Sequence, residues 1–393
     1  MEIYFDNAAT TKAAEEVIET VTKVMRDDFG NPSSKHMKGV EAERYLIDAR
    51  KTISKILKVN EKEILFTSGG TESNNTAIIG TAMANKRAGN HIITTVFEHS
   101  AVSEPMKYLE EQGFNVTYLD VDSEGHIDLN ELASNISEET ILVSIMFVNN
   151  ETGAVQDIAS IGKIIKEKNP KTVFHCDAVQ AFGKYEIYPK KMSIDLMSVS
   201  AHKFHGPKGV GFLYINEKTK VKPLILGGGQ QKGMRSGTDN VPGVAGMAKA
   251  AELAYENLNE NFAYLAGLKD YTLMKLFERM SGREGIPALK LRANSYPSGF
   301  SAPHIVSITF EDVKSEVLLH ALEEKNIYVS AGSACASNRN EISKTLLAIG
   351  LTKQQADSTI RLSFCKHNTQ EEIDKFFEAI DELVPVLSKF TSR

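Results

Sequence analysis

The chain predicts an α/β protein in which a large domain, with a mostly parallel seven-stranded sheet sandwiched by helices, is joined to a smaller α+β domain. Three observations carry that expectation. From about Glu15 to Gly233, short β-branched runs alternate with amphipathic helical stretches, the rhythm of a parallel sheet with helical crossovers. From about Glu252 to Arg283 the pattern is helical without loop composition, and beyond it the order of elements changes. With 393 residues, 42% of them hydrophobic, the chain can bury a large core and form two or three domains.

In chain order, the runs "EILFT", "HIITTV", "NVTYLD", "ILVSIMFV", "TVFHCD", "IDLMSVS" and "GVGFLYI" read as the strands of the large domain. Each is short, apolar and bounded by turn residues. The helical stretch that follows bridges to "HIVSITF", "NIYVSAGSA" and "TIRLSF", which are separated by helices. The last helix opens with a capping box at Thr369 and Glu372, and Ile373, Phe376, Phe377, Ile380, Leu383, Val384 and Leu387 follow helical spacing. The expected division is therefore 15–257 for the large domain, with 1–14 and 258–393 forming the small one.

Composition excludes several functions. The 45 basic and 51 acidic residues give a formal charge of -6, and with no basic tail or long block of one sign there is no nucleic-acid-binding surface to expect. The N-terminal stretch "MEIYFDNAATTKAAEE" carries acids where a targeting peptide carries bases. No apolar run approaches the ~20 residues needed to span a bilayer. Cys176, Cys335 and Cys365 are an odd, sparse set, which fits a reducing compartment. These features point to a cytoplasmic protein with a small-molecule partner.

Function is expected in the loops after the strands, which gather at one edge of such a sheet. "SGGTESNN" follows the first strand: Gly69 and Gly70 allow close backbone approach, and Thr71 opens a helix whose free amides suit a phosphate. An ordinary strand-to-helix turn uses the same residues. The dinucleotide and nucleoside-triphosphate fingerprints are absent. His99 follows the next strand, where an imidazole either stacks on a flat ring and moves protons or serves as a structural cap. Asn150 follows another, as a carboxylate or ring-oxygen donor or a plain turn residue.

Asp177 ends "TVFHCD", where a buried acid needs a cation to face. A protonated pyridine nitrogen is such a cation. Pyridoxal 5'-phosphate (PLP) needs an acid at its ring nitrogen, a lysine to hold its aldehyde as a Schiff base, and a phosphate cradle. Asp177, Lys203 of "SVSAHKFHGPKG" and the Gly70–Thr71 turn supply all three. Gln180 is spaced to reach the ring hydroxyl, and Ser200 and His202 flank the lysine near the phosphate. His202 and His205 lack a nearby third ligand for a metal. Cys335 sits in the small-residue loop "VSAGSACASNRN", either as an exposed thiol or as an incidental one. Arg361 in "STIRLSF" makes either a structural ion pair or a bidentate contact to a substrate carboxylate.

Taken together, "DNAATT", "FGNPSSKH", "TSGGTESNN", "EHSAV", "VNNETGAVQ", "HCDAVQAFGK", "SAHKFHGPKGVG", "MRSGTDN" and "AGSACAS" occur in the order found in NifS/IscS-type cysteine desulfurases. The resemblance spans nearly the entire chain. It implies the PLP fold type I of the class V aminotransferases, with Lys203 bonded to the cofactor, His99 stacked on its ring, and Asp177 and Gln180 at its nitrogen and hydroxyl. It implies that Thr71, Ser200 and His202 hold the phosphate with Thr238 of the neighbouring subunit in a homodimer. Asn150 and Arg361 would bind the carboxylate of L-cysteine. Cys335 would take the sulfur as a persulfide, leaving alanine, and pass it to an acceptor such as an iron-sulfur scaffold or a thiolation enzyme. "AGSACAS" resembles the longer, mobile version of this loop. The C-terminus "VPVLSKFTSR" departs from the housekeeping IscS pattern, which has an extended docking tail. Cys365 has no role in the resemblance and reads as a core thiol.

Two other readings share these residues. A selenocysteine lyase or class V aminotransferase would keep Lys203 and Asp177 with Cys335 a bystander, and its activity would survive Cys335→Ala. A silent sulfur-relay partner would be expected to lack the lysine, which is present.

Overall fold

The structure is a computed structural model that describes residues 2–282, 288–331 and 342–391. It begins with β1 (Ile3–Tyr4), α1 (Glu15–Arg26) and α2 (Met37–Leu57). There follow β2 (Ile64–Thr67), α3 (Gly70–Asn85), β3 (His91–Thr95), α4 (Ser100–Glu111), β4 (Asn115–Leu119) and α5 (Leu129–Asn135). Next come β5 (Thr140–Met146), α6 (Ile158–Lys168), β6 (Val173–Asp177), β7 (Leu196–Ser200) and β8 (Gly211–Ile215). Strands β2 to β8 are the seven runs expected from the sequence.

They form one sheet in the order β2-β8-β7-β6-β5-β3-β4. β8 runs antiparallel to both neighbours and the other pairs are parallel. The exception has a simple cause: β7 reaches β8 through a short turn, whereas a parallel return needs a full crossover. Lys203 lies in that turn. Every residue of β5, β6 and β7 is buried, as a sheet covered on both faces requires. The strand after β3 pairs on one side of it (β4) and the next on the other (β5), so a topological switch, where a crevice opens, lies between β3 and β5.

The helical stretch beyond the sheet is two helices, α7 (Val241–Glu256) and α8 (Leu258–Ser281), broken at Asn257 with φ -125° and ψ 39°. The break follows from their different partners. Val244, Met247 and Ala251 of α7 pack into the core of the central sheet with Val17, Leu46 and Phe182. Leu265, Leu268 and Leu276 of α8 pack into a second core. The elements that follow are β9 (Leu291–Ala293), β10 (Ile305–Phe310), α9 (Ser315–Glu323), β11 (Ile327–Tyr328), β12 (Ser330–Ala331), α10 (Lys344–Ala348), α11 (Lys353–Asp357), β13 (Thr359–Ser363) and α12 (Gln370–Thr391). β9, β10, α9, β11, β13 and α12 build that second core, whereas Leu346 of α10 and Ala356 of α11 pack with Phe97, Met146 and Ala154. β12-β13-β10-β9 form an antiparallel sheet, and β1 pairs in parallel with β11, which brings Ile3 and Phe5 into the second core. The capping box of α12 is formed: Glu372 N–H donates to Thr369 Oγ1 and Thr369 N–H to Glu372 Oε2.

Lys269 of α8 is fully buried, and its ammonium donates to Ser301 Oγ and to the Ala302 carbonyl. Burial pushes it down to about 7. Because the unfolded lysine keeps its proton to a much higher pH, the unfolded state binds more protons between about pH 7 and 10, and folding stability rises with pH across that window. In Lys269→Met the rise is expected to flatten by up to about 1.4 kcal/mol per pH unit. Urea unfolding of both proteins at pH 7, 8 and 9 checks this; parallel curves would refute it.

Candidate active site

The loops leaving β2, β3, β5, β6 and β7 converge on a cavity of about 260 Å³. Gly70, Thr71, His99, Asn150, Asp177, Gln180, Ser200, His202, Lys203 and Arg361 all line it. Of the other candidates, Thr238 lies exposed on the loop before α7 and does not line this cavity. Cys335 lies outside the described residues.

The floor is built by buried polar contacts. Asp177 ends β6, and its carboxylate accepts from Asn74 Nδ2 at 2.7 Å and from the Val179 N–H at 3.0 Å. Those donors fix its rotamer, so the carboxylate meets whatever enters in one orientation. Gln180 donates through Nε2 to the Ala8 carbonyl at 2.8 Å. Lys203 Nζ reaches the carbonyls of Ala8 and Ala9 at 2.6 and 2.7 Å. The turn carrying it is anchored by rings: Phe204 meets Phe182 edge-on at 5.0 Å, and Phe182 packs on Phe212 and Tyr255 at 5.3 and 5.1 Å. Aromatic pairs of this kind contribute about 0.5–1.5 kcal/mol each beyond their burial.

His99 caps α4 by accepting the Ala101 N–H at Nδ1, 3.0 Å away. Burial, opposed by the Asp177 charge and assisted by Lys203, holds this imidazole below its ordinary value. It is therefore neutral at pH 7 with its proton on Nε2, the nitrogen left for proton transfer. His202 is pushed down to about 4 by burial and then by Lys203 and Lys208, so it would meet an anion as a neutral hydrogen-bonding group. His205 bonds the Lys12 carbonyl through Nδ1 at 2.9 Å, and among the described residues no cluster of three metal-binding side chains occurs.

Arg361, buried in β13, pairs with Asp6 at 2.6 Å through Nη2 and donates from Nη1 to the Asn150 carbonyl at 2.7 Å. Its Nε–H donates to no partner among the described residues. Both uses weighed for this residue are thus open to it: it makes a structural pair and retains donors at the cavity.

Three contributions were not anticipated, although Asn74 itself was expected, with Thr71 and Ser73, at the opening of the phosphate-binding helix. Asn74, Glu98 and the Asp6–Ala9 turn complete the site. Glu98 is half-buried, its carboxylate accepting from the Met146 N–H at 2.9 Å and from Thr95 Oγ1 at 3.1 Å, and desolvation, with the Asp177 charge adding to it, pushes its carboxyl up to about 8. The available signals were a polar Asn one turn into the α3 face and an acid beside His99. Cys365 also differs from a core thiol: it is only partly buried and lines a separate cavity.

The cavity fits PLP on its own terms. Gln180 Oε1 and Asn74 Oδ1 are buried acceptors without a donor among the described residues. Gly69 has φ +143°, a region other residues rarely enter, and a Cβ there would come 3.4 Å from Ser200 Oγ. At Gly70 a Cβ would come 2.8 Å from Val179 Cγ2. The bare backbone at the start of α3 thus leaves amides and a positive dipole end open to a phosphate.

Comparison with known proteins agrees with this geometry. The aminotransferase class-V family model matches residues 3–376. A cysteine desulfurase IscS of Clostridium botulinum is 44% identical over 385 residues, covering 98% of this chain and 94% of that protein. One from Methanosarcina thermophila is 45% identical over 386 residues, covering 98% and 92%. A solved NifS-like protein superposes with a TM-score of 0.91 at 40% identity, covering 98% of this chain and all of that one. Fold, cavity chemistry and full-length likeness converge: the chain belongs to the class-V aminotransferase family and, within it, to the cysteine desulfurases.

Proposed function

We propose that this enzyme converts L-cysteine to L-alanine and carries the sulfur as a persulfide on Cys335 to an acceptor protein. The observation that carries the reading is the convergence of Lys203, Asp177, His99 and Arg361 from separate segments on one cavity with orphaned acceptors. Lys203 would hold PLP through Nζ, Asp177 would face its ring nitrogen, Gln180 Oε1 its hydroxyl, and Gly70, Thr71, Ser200 and His202 its phosphate. Bound PLP supplies an electron-accepting ring that stabilises negative charge at the substrate α-carbon.

The chain's residues do the rest. Arg361 and Asn150 orient the substrate carboxylate. Lys203 Nζ and His99 Nε2 are the groups placed to move protons at the α- and β-carbons. The Cys335 thiolate attacks the substrate sulfur, so an S–S bond forms as the Cβ–S bond breaks and its electron pair stays with carbon, which is then protonated. Thiol plus cysteine become persulfide plus alanine, with no external oxidant.

The exposed position of Thr238 supports a homodimer in which it reaches the other subunit's phosphate site. Exposed Met25, Phe29 and Leu226 are large apolar side chains of the kind a second copy would cover. The division into 15–257 and 1–14 with 258–393 is supported by one core built mainly from residues up to Ala251 and another built from Ile3, Phe5 and residues from Leu265 onward. The free thiols Cys176 and Cys365 suit the cytoplasm, and among the described residues no helix is long and apolar enough to cross a membrane. An iron-sulfur scaffold or a thiolation enzyme is the acceptor class the reading implies.

The test is a peptide mass spectrum of the PLP-loaded protein after brief anaerobic exposure to L-cysteine without reductant. One added sulfur on the Cys335 peptide is expected, and none in Cys335→Ala. An unmodified Cys335 peptide in protein carrying cofactor would favour the lyase or aminotransferase chemistry instead.

A further inference from the structure

A second cavity, of about 60 Å³, shares only Lys203 with the cofactor pocket. Lys184, His304 and Cys365 face it beside the apolar walls of Leu253, Leu265 and Phe364. It is several times larger than one water requires. Its polar groups are poorly matched. Lys184 Nζ donates to the Lys203 carbonyl at 3.0 Å, and among the described residues no carboxylate pairs with it. His304 is 1% exposed, and neither ring nitrogen has a hydrogen-bond partner.

The surroundings sharpen the mismatch. The charges acting on His304 are Lys184, Lys269, Arg361 and Lys203, all of one sign. Burial, with the Lys203 charge adding to it, pushes the Lys184 ammonium down to about 7, while the residue keeps intermediate exposure at the cavity wall. The one neighbour that favours its charge is Cys365, whose own thiol burial pushes up and so keeps neutral. A buried cation without a counter-charge either gives up its proton or takes an anion.

We propose that this cavity binds one weakly hydrated monovalent anion of halide size, held by the Lys184 ammonium and an N–H of His304. Lys184 and His304 beside the apolar walls suit such an ion, whereas a phosphate or sulfate, larger and more strongly hydrated, would also need Asn7, Thr11, His205, Asn261 or Lys366, which line the same cavity, to turn donors onto it. The bound anion keeps Lys184 charged, and a charged donor holds the Lys203 carbonyl more firmly than a neutral one. Occupancy thereby stiffens the turn that carries Lys203.

Bromide is the probe, because it scatters anomalously and both readouts work without turnover, independent of the reaction proposed above. Crystals of the PLP-loaded protein grown in sodium bromide are expected to show an anomalous peak within hydrogen-bond reach of Lys184 Nζ and His304. In parallel, replacing gluconate by bromide at constant ionic strength is expected to raise Tm by about 2 °C in the wild type. Lys184→Met and His304→Leu should each abolish that rise, and either alone suffices if the other fails to fold. Ordinary water density in the cavity, or an equal rise in wild type and variants, would overturn the proposal.

Discussion

Replacing Lys203 by alanine is expected to lower desulfurisation by about 10³-fold or more, since the residue would serve both as the covalent anchor and as a proton carrier. The direction follows from its place: Nζ is the amine at the end of β7 that lines the same cavity as Asp177, Gln180 and His99. The variant also loses two hydrogen bonds to the Ala8 and Ala9 carbonyls, so a drop in activity alone would not separate chemistry from a loosened N-terminal turn. Lys203→Arg separates them, because a guanidinium can still bond those carbonyls but cannot serve as the anchoring amine. Arginine is expected to restore Tm toward the wild type while activity stays at the alanine level. Borohydride should fix the cofactor to the Lys203 peptide in the wild type and to no peptide in either variant. Substantial activity in Lys203→Arg, or fixation at another lysine, would remove Lys203 from this role.

How far the sequence speaks differs between parts of the molecule, and the reason is physical. β5, β6 and β7 are legible because a strand buried on both faces must be apolar throughout, and each ends at a residue that breaks the run: Asn149 and Asn150, Asp177, and the turn holding Lys203. Of these, Asn150, Asp177 and Lys203 line the cavity, so the sheet's edge could be read directly from the chain. β9 was not legible, being only three residues long with no period to show. Asn257 is similarly silent, since nothing local marks it as the point where α7 and α8 part toward different cores. The Asp6–Arg361 pair joins residues 355 positions apart, and no periodicity reports a contact at that range. The roles of Asn74 and Glu98 depend on Asp177 being beside them, which only the folded sheet provides.

Asp177→Asn carries the second large effect: kcat is expected to fall by about 10²–10⁴-fold, the range a group stabilising charge at the reacting centre contributes. Asparagine has the shape of aspartate and can keep a carbonyl oxygen toward the Val179 N–H or toward Asn74 Nδ2, which Asp177 now accepts at 3.0 and 2.7 Å. The loop therefore has its supports, and what disappears is the negative charge that would keep the ring nitrogen protonated. Glu98 supplies an internal check. Its carboxyl is pushed up to about 8 by burial first, with the Asp177 charge as a further contribution. Removing that charge should let the Glu98 carboxyl ionise at lower pH, which a carboxyl-stretch infrared titration can follow against a Glu98→Gln control. A structural role for Asp177 predicts a different set of results: lowered Tm, weaker PLP retention and a proportionate loss of activity. The electronic role predicts near wild-type Tm, a kcat loss with little change in KM for L-cysteine, and a shift of the Glu98 titration to lower pH. Because Glu98 reads the charge in the absence of substrate, a kcat loss without that shift would mean the side chain acts through its hydrogen bonds, and the assignment of Asp177 to the ring nitrogen would fall.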